Sequence, residues 1–235
     1  MNLLEQFMTE FNLLHEAMKR YTRRDDNFGS LMYQLRNKHP VIKQYHDEID
    51  LARQLRNLLV HEKKEFYNIA EPTEMFVNQL KLIRRKFENP ETVRLFSKAV
   101  TTLNSNDSLK DALNKMRKHP VSQYPVFKEN EFLGILTDNG VTKWLTSVSI
   151  RNSINLSDYS VKDILNRDDK DSSYIIVNHN FSLYEVEKKM TELVNEKGYS
   201  KLVILITSYG KITHKEDIIG IITPVDMPKI LEYIR

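Results

Sequence analysis

The hydrophobic period of the chain changes once, near residue 90. Before that point, Leu3, Leu4, Phe7, Phe11, Leu14, Met18 and Tyr21 recur at helical spacing and predict one long amphipathic helix from Asn2 to about Arg24. Asp25 to Ser30 reads as a turn, with Ser30 placed to cap a second helix, Leu31 to Asn37, that runs to Pro40. Ile42, Tyr45, Ile49, Ala52, Leu55, Leu58, Leu59 and Phe66 predict a third helix from about Val41 to Tyr67. Pro72-Thr73 then restarts the chain for a last helix through Phe76, Leu80, Ile83 and Phe87. No segment of this half alternates as a strand would. The expectation is an all-α bundle of about four helices, closed at Asn89-Pro90.

Beyond that boundary, short apolar runs alternate with helical stretches. Val100 to Leu103 is strand-like, and Ser108-Leu109-Lys110-Asp111 opens a helix that ends before Pro120. Tyr124 to Phe127 and Phe132 to Leu136 form a hairpin, and a helix around Val141 to Leu145 closes the unit. The order strand, helix, strand, strand, helix then returns. Tyr174 to Asn178 is the strand, and Ser182 to Met190 repeats Ser108 to Met116 at an offset of 74. Lys201 to Thr207 and Ile218 to Ile222 make the hairpin, and Met227 to Ile234 closes the unit. Gly134-Ile135-Leu136-Thr137 and Gly220-Ile221-Ile222-Thr223 are the clearest echo, so an internal duplication is the economical reading. The fold class expected is α+β: a helical bundle over residues 1–90, then two β-α-β-β-α repeats over 91–150 and 151–235, packed as a pseudo-twofold pair.

Composition narrows the function. In 235 residues, 40% of them hydrophobic, no apolar run approaches the roughly 20 residues that a membrane-spanning helix needs. The first residues lack the basic start of a signal peptide, and there is no cysteine, which removes disulfides and thiolate chemistry. A cytoplasmic protein without a membrane role is expected. Basic and acidic side chains nearly balance, 35 against 32, so no overall field draws the chain to nucleic acid. The seven histidines show no metal-binding spacing, and no phosphate loop is present; no metal or required cofactor is expected.

Two constellations carry chemistry. On the third predicted helix, Arg56-Asn57-Leu58-Leu59-Val60-His61 puts Asn57 and His61 on one face with Arg56 about a quarter turn away, flanking an apolar stripe of Leu55, Leu58 and Leu59. An arginine beside an imidazole suits phosphodiester cleavage: the guanidinium stabilises a pentacoordinate phosphate and the histidine moves the proton of a ribose 2′-hydroxyl. The same residues serve equally as an ion pair and a hydrogen-bonding group within the bundle. At the last strand, Thr223 and Asp226 place a hydroxyl and a carboxylate at a strand end that opens a helix. There they can grip the vicinal hydroxyls of a ribose, with phosphate favoured at the helix N-terminus, or simply cap the helix.

The R-N-x-x-x-H pattern in an all-helical domain resembles the HEPN family, over roughly residues 1–90. That resemblance implies a dimer and, in the family's active members, a metal-independent ribonuclease with Arg56, Asn57 and His61 as catalytic groups and RNA as substrate. The two repeats resemble CBS domains, and together a Bateman module, in their architecture, in Ser122-Gln123-Tyr124-Pro125-Val126 and in both Gly-hydrophobic-hydrophobic-Thr strands. The resemblance implies that a cleft between repeats binds an adenine nucleotide, AMP, ADP, ATP or a cyclic dinucleotide. Thr223 and Asp226 would hold the ribose and Lys201 a phosphate. In the first repeat Thr137 matches but Gly140 stands where the carboxylate belongs, so one competent site is expected. The function implied is a regulatory sensor that passes nucleotide binding to a helical dimerisation or effector domain, or to an effector protein. A nucleotide-gated ribonuclease and a ligand-free interaction module are the alternatives.

Overall fold

The computed structural model describes residues 2–61, 70–119, 121–148, 154–168, 174–197 and 202–235. The chain forms two compact units, Met1–Pro90 and Glu91–Arg235. Together they make an α+β protein with a helical N-terminal region and two small sheets.

In the first unit, α1 (Leu3–Thr22) starts at a capping box: the Asn2 side chain accepts from the Glu5 amide while the Glu5 carboxylate accepts from the Asn2 amide. Phe7, Phe11, Leu14 and Met18 form its buried stripe. It ends at Arg23, whose left-handed backbone (φ 55°) turns the chain. Asn27, not Ser30, caps α2 (Phe28–Leu35), its side chain accepting from the Ser30 amide at 2.9 Å. The earlier start brings Phe28 into the helix and onto Phe11, ring centroids 4.2 Å apart, so packing decides between two adequate caps.

The long third helix of the sequence reading is broken. Its described part comprises α3 (Pro40–Gln44) and α4 (His46–His61), parted at Tyr45 (φ −106°, ψ 28°), which is buried with its hydroxyl accepting from Lys86 at 2.7 Å. The expected continuation to Tyr67 lies outside the described residues. Thr73 caps α5 (Glu74–Glu88). This helix packs on α1, where Arg84 bridges Glu10 and Glu88 and Arg20 also reaches Glu88. Arg84, Glu10 and Glu88 are mostly buried, so the cluster depends on complete pairing.

In the second unit, β1 (Leu103–Asn104) lies parallel to β2 (Gln123–Lys128), which pairs antiparallel with β3 (Glu131–Thr137). Between β1 and β2 runs α6 (Leu109–Lys118), and α7 (Asp138–Val148) follows β3. After α8 (Val161–Asp168), the order recurs as β4 (Tyr174–Asn178), α9 (Leu183–Lys197), β5 (Val203–Thr207), β6 (Ile218–Ile222) and α10 (Met227–Ile234). The second sheet, β4-β5-β6, has the same senses as the first. The likeness extends to details: Val126 pairs with Gly134 and Ile206 with Gly220, and in both hairpins the register slips at the next residue. Ser108 and Ser182 cap α6 and α9 with the carboxylates of Asp111 and Glu185 folded back on their hydroxyls.

The two sheets share a core of Phe127 and Ile135 from one and Val203, Leu205, Ile218 and Ile221 from the other. They are also stitched crosswise by the segments that precede each sheet. Residues 91–98 come before the first sheet but bond around the second. Val93 N–H donates to the Phe181 carbonyl, Leu183 N–H to Glu91 and Lys98 N–H to Ile219. Conversely, residues 159–165 precede the second sheet and attach around the first. Leu109 N–H donates to Tyr159, Val161 N–H to Asp107 and Lys162 N–H to Ser105, while Val161, Ile164 and Leu165 enter the core of the first sheet. Trp144 belongs to that same core, packed edge-on to Tyr159.

His39, between α2 and α3, is buried against Phe87 (4.2 Å) and the edge of Tyr21 (4.9 Å), and its Nδ1 has no partner among the described residues. Burial lowers its pKa from 6.5 to about 4. The native protein therefore holds the ring neutral while the unfolded chain takes up a proton below pH 6.5. Stability from this site is complete above that pH and falls as pH drops toward 4, by about 3 kcal/mol. Urea unfolding at pH 7 and pH 4.5 should show a smaller loss for His39→Phe than for the native chain; equal losses would contradict the assignment.

Candidate functional site

The C-terminal ends of β3 and β6 are equivalent by register, yet they are built differently. At β6 the strand is wholly apolar and mostly buried, and Thr223 is the first polar residue beyond it. A short turn, Pro224–Asp226, then leads into α10, with Pro224 and Pro228 presetting the backbone of the turn and the helix start. The Asp226 carboxylate folds back: one oxygen, Oδ2, accepts from the Thr223 amide at 2.8 Å and from the Thr223 hydroxyl at 3.1 Å. Asp226 sits at the N-cap position of α10 but makes no side-chain capping bond to it. Its second oxygen has no hydrogen-bond partner among the described residues. The pair is half-buried, and beside it Val225 is 86% exposed.

At β3 the hydroxyl is consumed. Thr137 ends the strand, is buried, and its Oγ1 accepts from the Gly140 amide at 2.9 Å, which caps α7. Gly140 brings no carboxylate, and the Asp138 side chain accepts from the neighbouring Asn139 amide at 2.8 Å. The structure thus brings Thr223 and Asp226 together and leaves Thr137 without an acid three residues on. Lys201 lies outside the described residues.

The glycines of the two repeated strands have a structural task that the sequence reading missed. A Cβ on Gly220 would lie 2.7 Å from the Phe96 carbonyl oxygen and 3.2 Å from Ser97 Cα, because residues 97 and 98 pair with the outer edge of β6. Gly134, at φ 143°, faces Leu165 of the other crossing segment at 3.6 Å. The readable signal was Val93-x-x-Phe96, repeated as Val161-x-x-Ile164 ahead of the second repeat.

In the helical unit, Arg56 and Asn57 lie on α4, both half-buried, with Arg56 Nη1 donating to Asn57 Oδ1 at a long 3.4 Å. Arg56 has no ion-pair partner among the described residues. Leu59 is buried but Leu58 is 36% exposed, so the expected stripe of Leu55, Leu58 and Leu59 is only partly buried. The His61 side chain lies outside the described residues.

A family model, the CBS domain, matches residues 93–147. The chain carries a CBS domain there, which includes the crossing segment from Val93 and the whole first sheet. No curated protein matches the chain. Solved structures similar to it include a CBS domain pair in complex with 5′-methylthioadenosine and S-adenosyl-L-methionine: 18% identity, 61% of this chain and 97% of that one, TM-score 0.43. Another is the CBS domain of a bacterial CNNM/CorC family Mg2+ transporter in complex with ATP, at 16% identity, 67% and 96% coverage and TM-score 0.41. A third is a conserved protein from Pyrococcus horikoshii, at 22% identity, 60% and 92% coverage and TM-score 0.41.

Proposed function

We propose that residues 91–235 form a pseudo-twofold pair of CBS repeats, 91–150 and 151–235, that binds one adenine nucleotide. Binding is then passed to the helical unit, 1–90, which acts as a dimerisation or effector domain in a cytoplasmic regulatory protein. The observation that carries this reading is the Thr223–Asp226 pair. A carboxylate that keeps one oxygen unpartnered, beside a hydroxyl at an open strand end, offers the acceptors that two vicinal ribose hydroxyls need. The CBS match over 93–147 and the adenosine ligands held by two of the similar proteins support the ligand class. In this reading Lys201 contacts phosphate, and the Thr137 end is empty or used otherwise. A ligand shifts the helical unit only through a difference in affinity between two arrangements. The route is the 91–98 segment, joined to β6 at Ile219 through Lys98 and at Gly220 through Ser97, four and three residues before Thr223, and continuous in sequence with α5.

A second reading draws on Arg56: a half-buried guanidinium with no acid beside it among the described residues is unusual for a structural ion pair. In a HEPN-type dimer it would serve with Asn57 and His61 as the centre of a metal-independent ribonuclease gated by the nucleotide.

Calorimetric titration with AMP, ADP, ATP, S-adenosylmethionine and cyclic dinucleotides should give saturable binding to the native chain that Asp226→Ala weakens by about tenfold or more, as loss of a charged hydrogen-bonding group does. Absence of binding at millimolar ligand, or binding indifferent to the substitution, refutes the site and favours an interaction module without ligand. For the second reading, incubation with tRNA in the presence of a metal chelator should show cleavage that disappears in Arg56→Ala and His61→Ala. Intact RNA, or cleavage that survives both changes, rejects it.

A further inference from the structure

The outer face of α5 exposes large apolar side chains. Val77, Leu80, Ile83 and Phe87 turn into the bundle, which leaves Met75, Asn78 and Leu82 as the spine of the opposite face. Met75 is 81% and Leu82 44% exposed. With Glu74 and Gln79 they line a shallow open depression. The spine itself carries no charge, although lysine and arginine are frequent on this helix. Arg84 is drawn away to Glu10 and Glu88 on the α1 side.

Charges stand at the two ends of the spine and have opposite signs. Glu74 is exposed in the first turn, and Arg85 is exposed in the last. Neither has an ion-pair partner among the described residues. A helix with an uncharged, half-apolar spine, an acid at its start and a base at its end is complementary to its own antiparallel copy. Opposed about Asn78 and Gln79, Met75 of one copy meets Leu82 of the other, twice over, since residues seven apart lie on one face about 10 Å apart. Arg85 of each copy then falls two residues, about 3 Å along the axis, beyond Glu74 of the other, within reach of its long side chain, and the two helix dipoles run head to tail, which is their favourable sense. Such a pairing is isologous and closes at two chains.

We propose that α5 is the interface through which two copies of this chain associate, as an antiparallel helix pair centred on Asn78 and Gln79. The proposal gives a surface to the dimer of the preceding section but does not need the nucleotide. Because the test is run without nucleotide, its failure is distinct from a failed titration.

Sedimentation equilibrium of the full chain over micromolar to high-micromolar concentrations tests it. The native chain should show a monomer–dimer equilibrium, and Leu82→Arg, a change at an exposed position, should be monomeric with an unchanged thermal midpoint. Glu74→Arg and Arg85→Glu should each raise the dissociation constant by about fivefold, since each change places like charges at both ends of the pair. The double variant Glu74→Arg/Arg85→Glu exchanges the two signs and should restore association to near the native value. A native chain that stays monomeric, association unaffected by Leu82→Arg, or a double variant weaker than either single one overturns the proposal; the first would also leave the α5 face to a partner other than a second copy.

Discussion

The second unit depends on an exchange of backbone. Each of its two sheets is completed by a segment that belongs, in sequence, to the other. Residues 91–98 precede the first sheet and bond to Phe181, Leu183 and Ile219 around the second; residues 159–165 precede the second sheet and bond to Ser105, Asp107 and Leu109 around the first. Buried amides and carbonyls must find partners, and here those partners come from across the duplication. The edge strand β6 takes a bridge from Ser97, and the first core takes side chains from residues 161–165. Val161, Ile164 and Leu165 fill the floor of the first sheet, while Val93 and Phe96 are buried ahead of the second.

The exchange explains sequence features that look decorative in isolation. Gly220 is a glycine because the 96–97 backbone passes where a Cβ would stand, whereas Gly134 is favoured by its positive φ alone, a Cβ there meeting Leu165 at ordinary contact distance. Both occur at the residue paired with the last regular position of the preceding strand, just before the register slip. It also sets the position of the candidate site. β6 is held from its outer side by residues 97 and 98, and three residues after Gly220 the chain reaches Thr223. A change at that strand end is therefore one short strand from the segment that continues into α5, which is the covalent path between the site and the helical unit.

Much of this was legible in the sequence, and the failures have physical causes. The helical N-terminal region, the mixed α+β class and the span Tyr174–Asn178 are readable, because short apolar runs bounded by turn residues leave few alternatives, although the first strand falls at Leu103–Asn104 and not at Val100–Leu103. The cap of α2 was misplaced because Asn27 and Ser30 are both competent, and only the tertiary contact of Phe28 with Phe11 decides between them. The break at Tyr45 was hidden for a similar reason: its apolar spacing continues through the break, and the hydroxyl contact with Lys86 is 41 residues distant. At the site, the spacing of Thr223 and Asp226 suggested their partnership, but two roles, capping and ribose binding, have the same residues. The carboxylate's turn toward Thr223 is the capping-box geometry that a Thr-x-x-Asp spacing encodes, as at Ser108–Asp111 and Ser182–Glu185, so the spacing alone does not separate the two roles. The crossing segments were missed because Val93 and Phe96 sit directly after the boundary, where a reader looks for a linker.

If the exchange of segments makes the two repeats one structure, they must open together. Native-state hydrogen exchange across a denaturant series, followed on peptides from β2–β3 and from β5–β6, measures this directly. The account predicts that the most protected amides of both sheets converge on one opening free energy with one denaturant dependence. Two separate opening energies, with one sheet exchanging fully while the other remains protected, would contradict it.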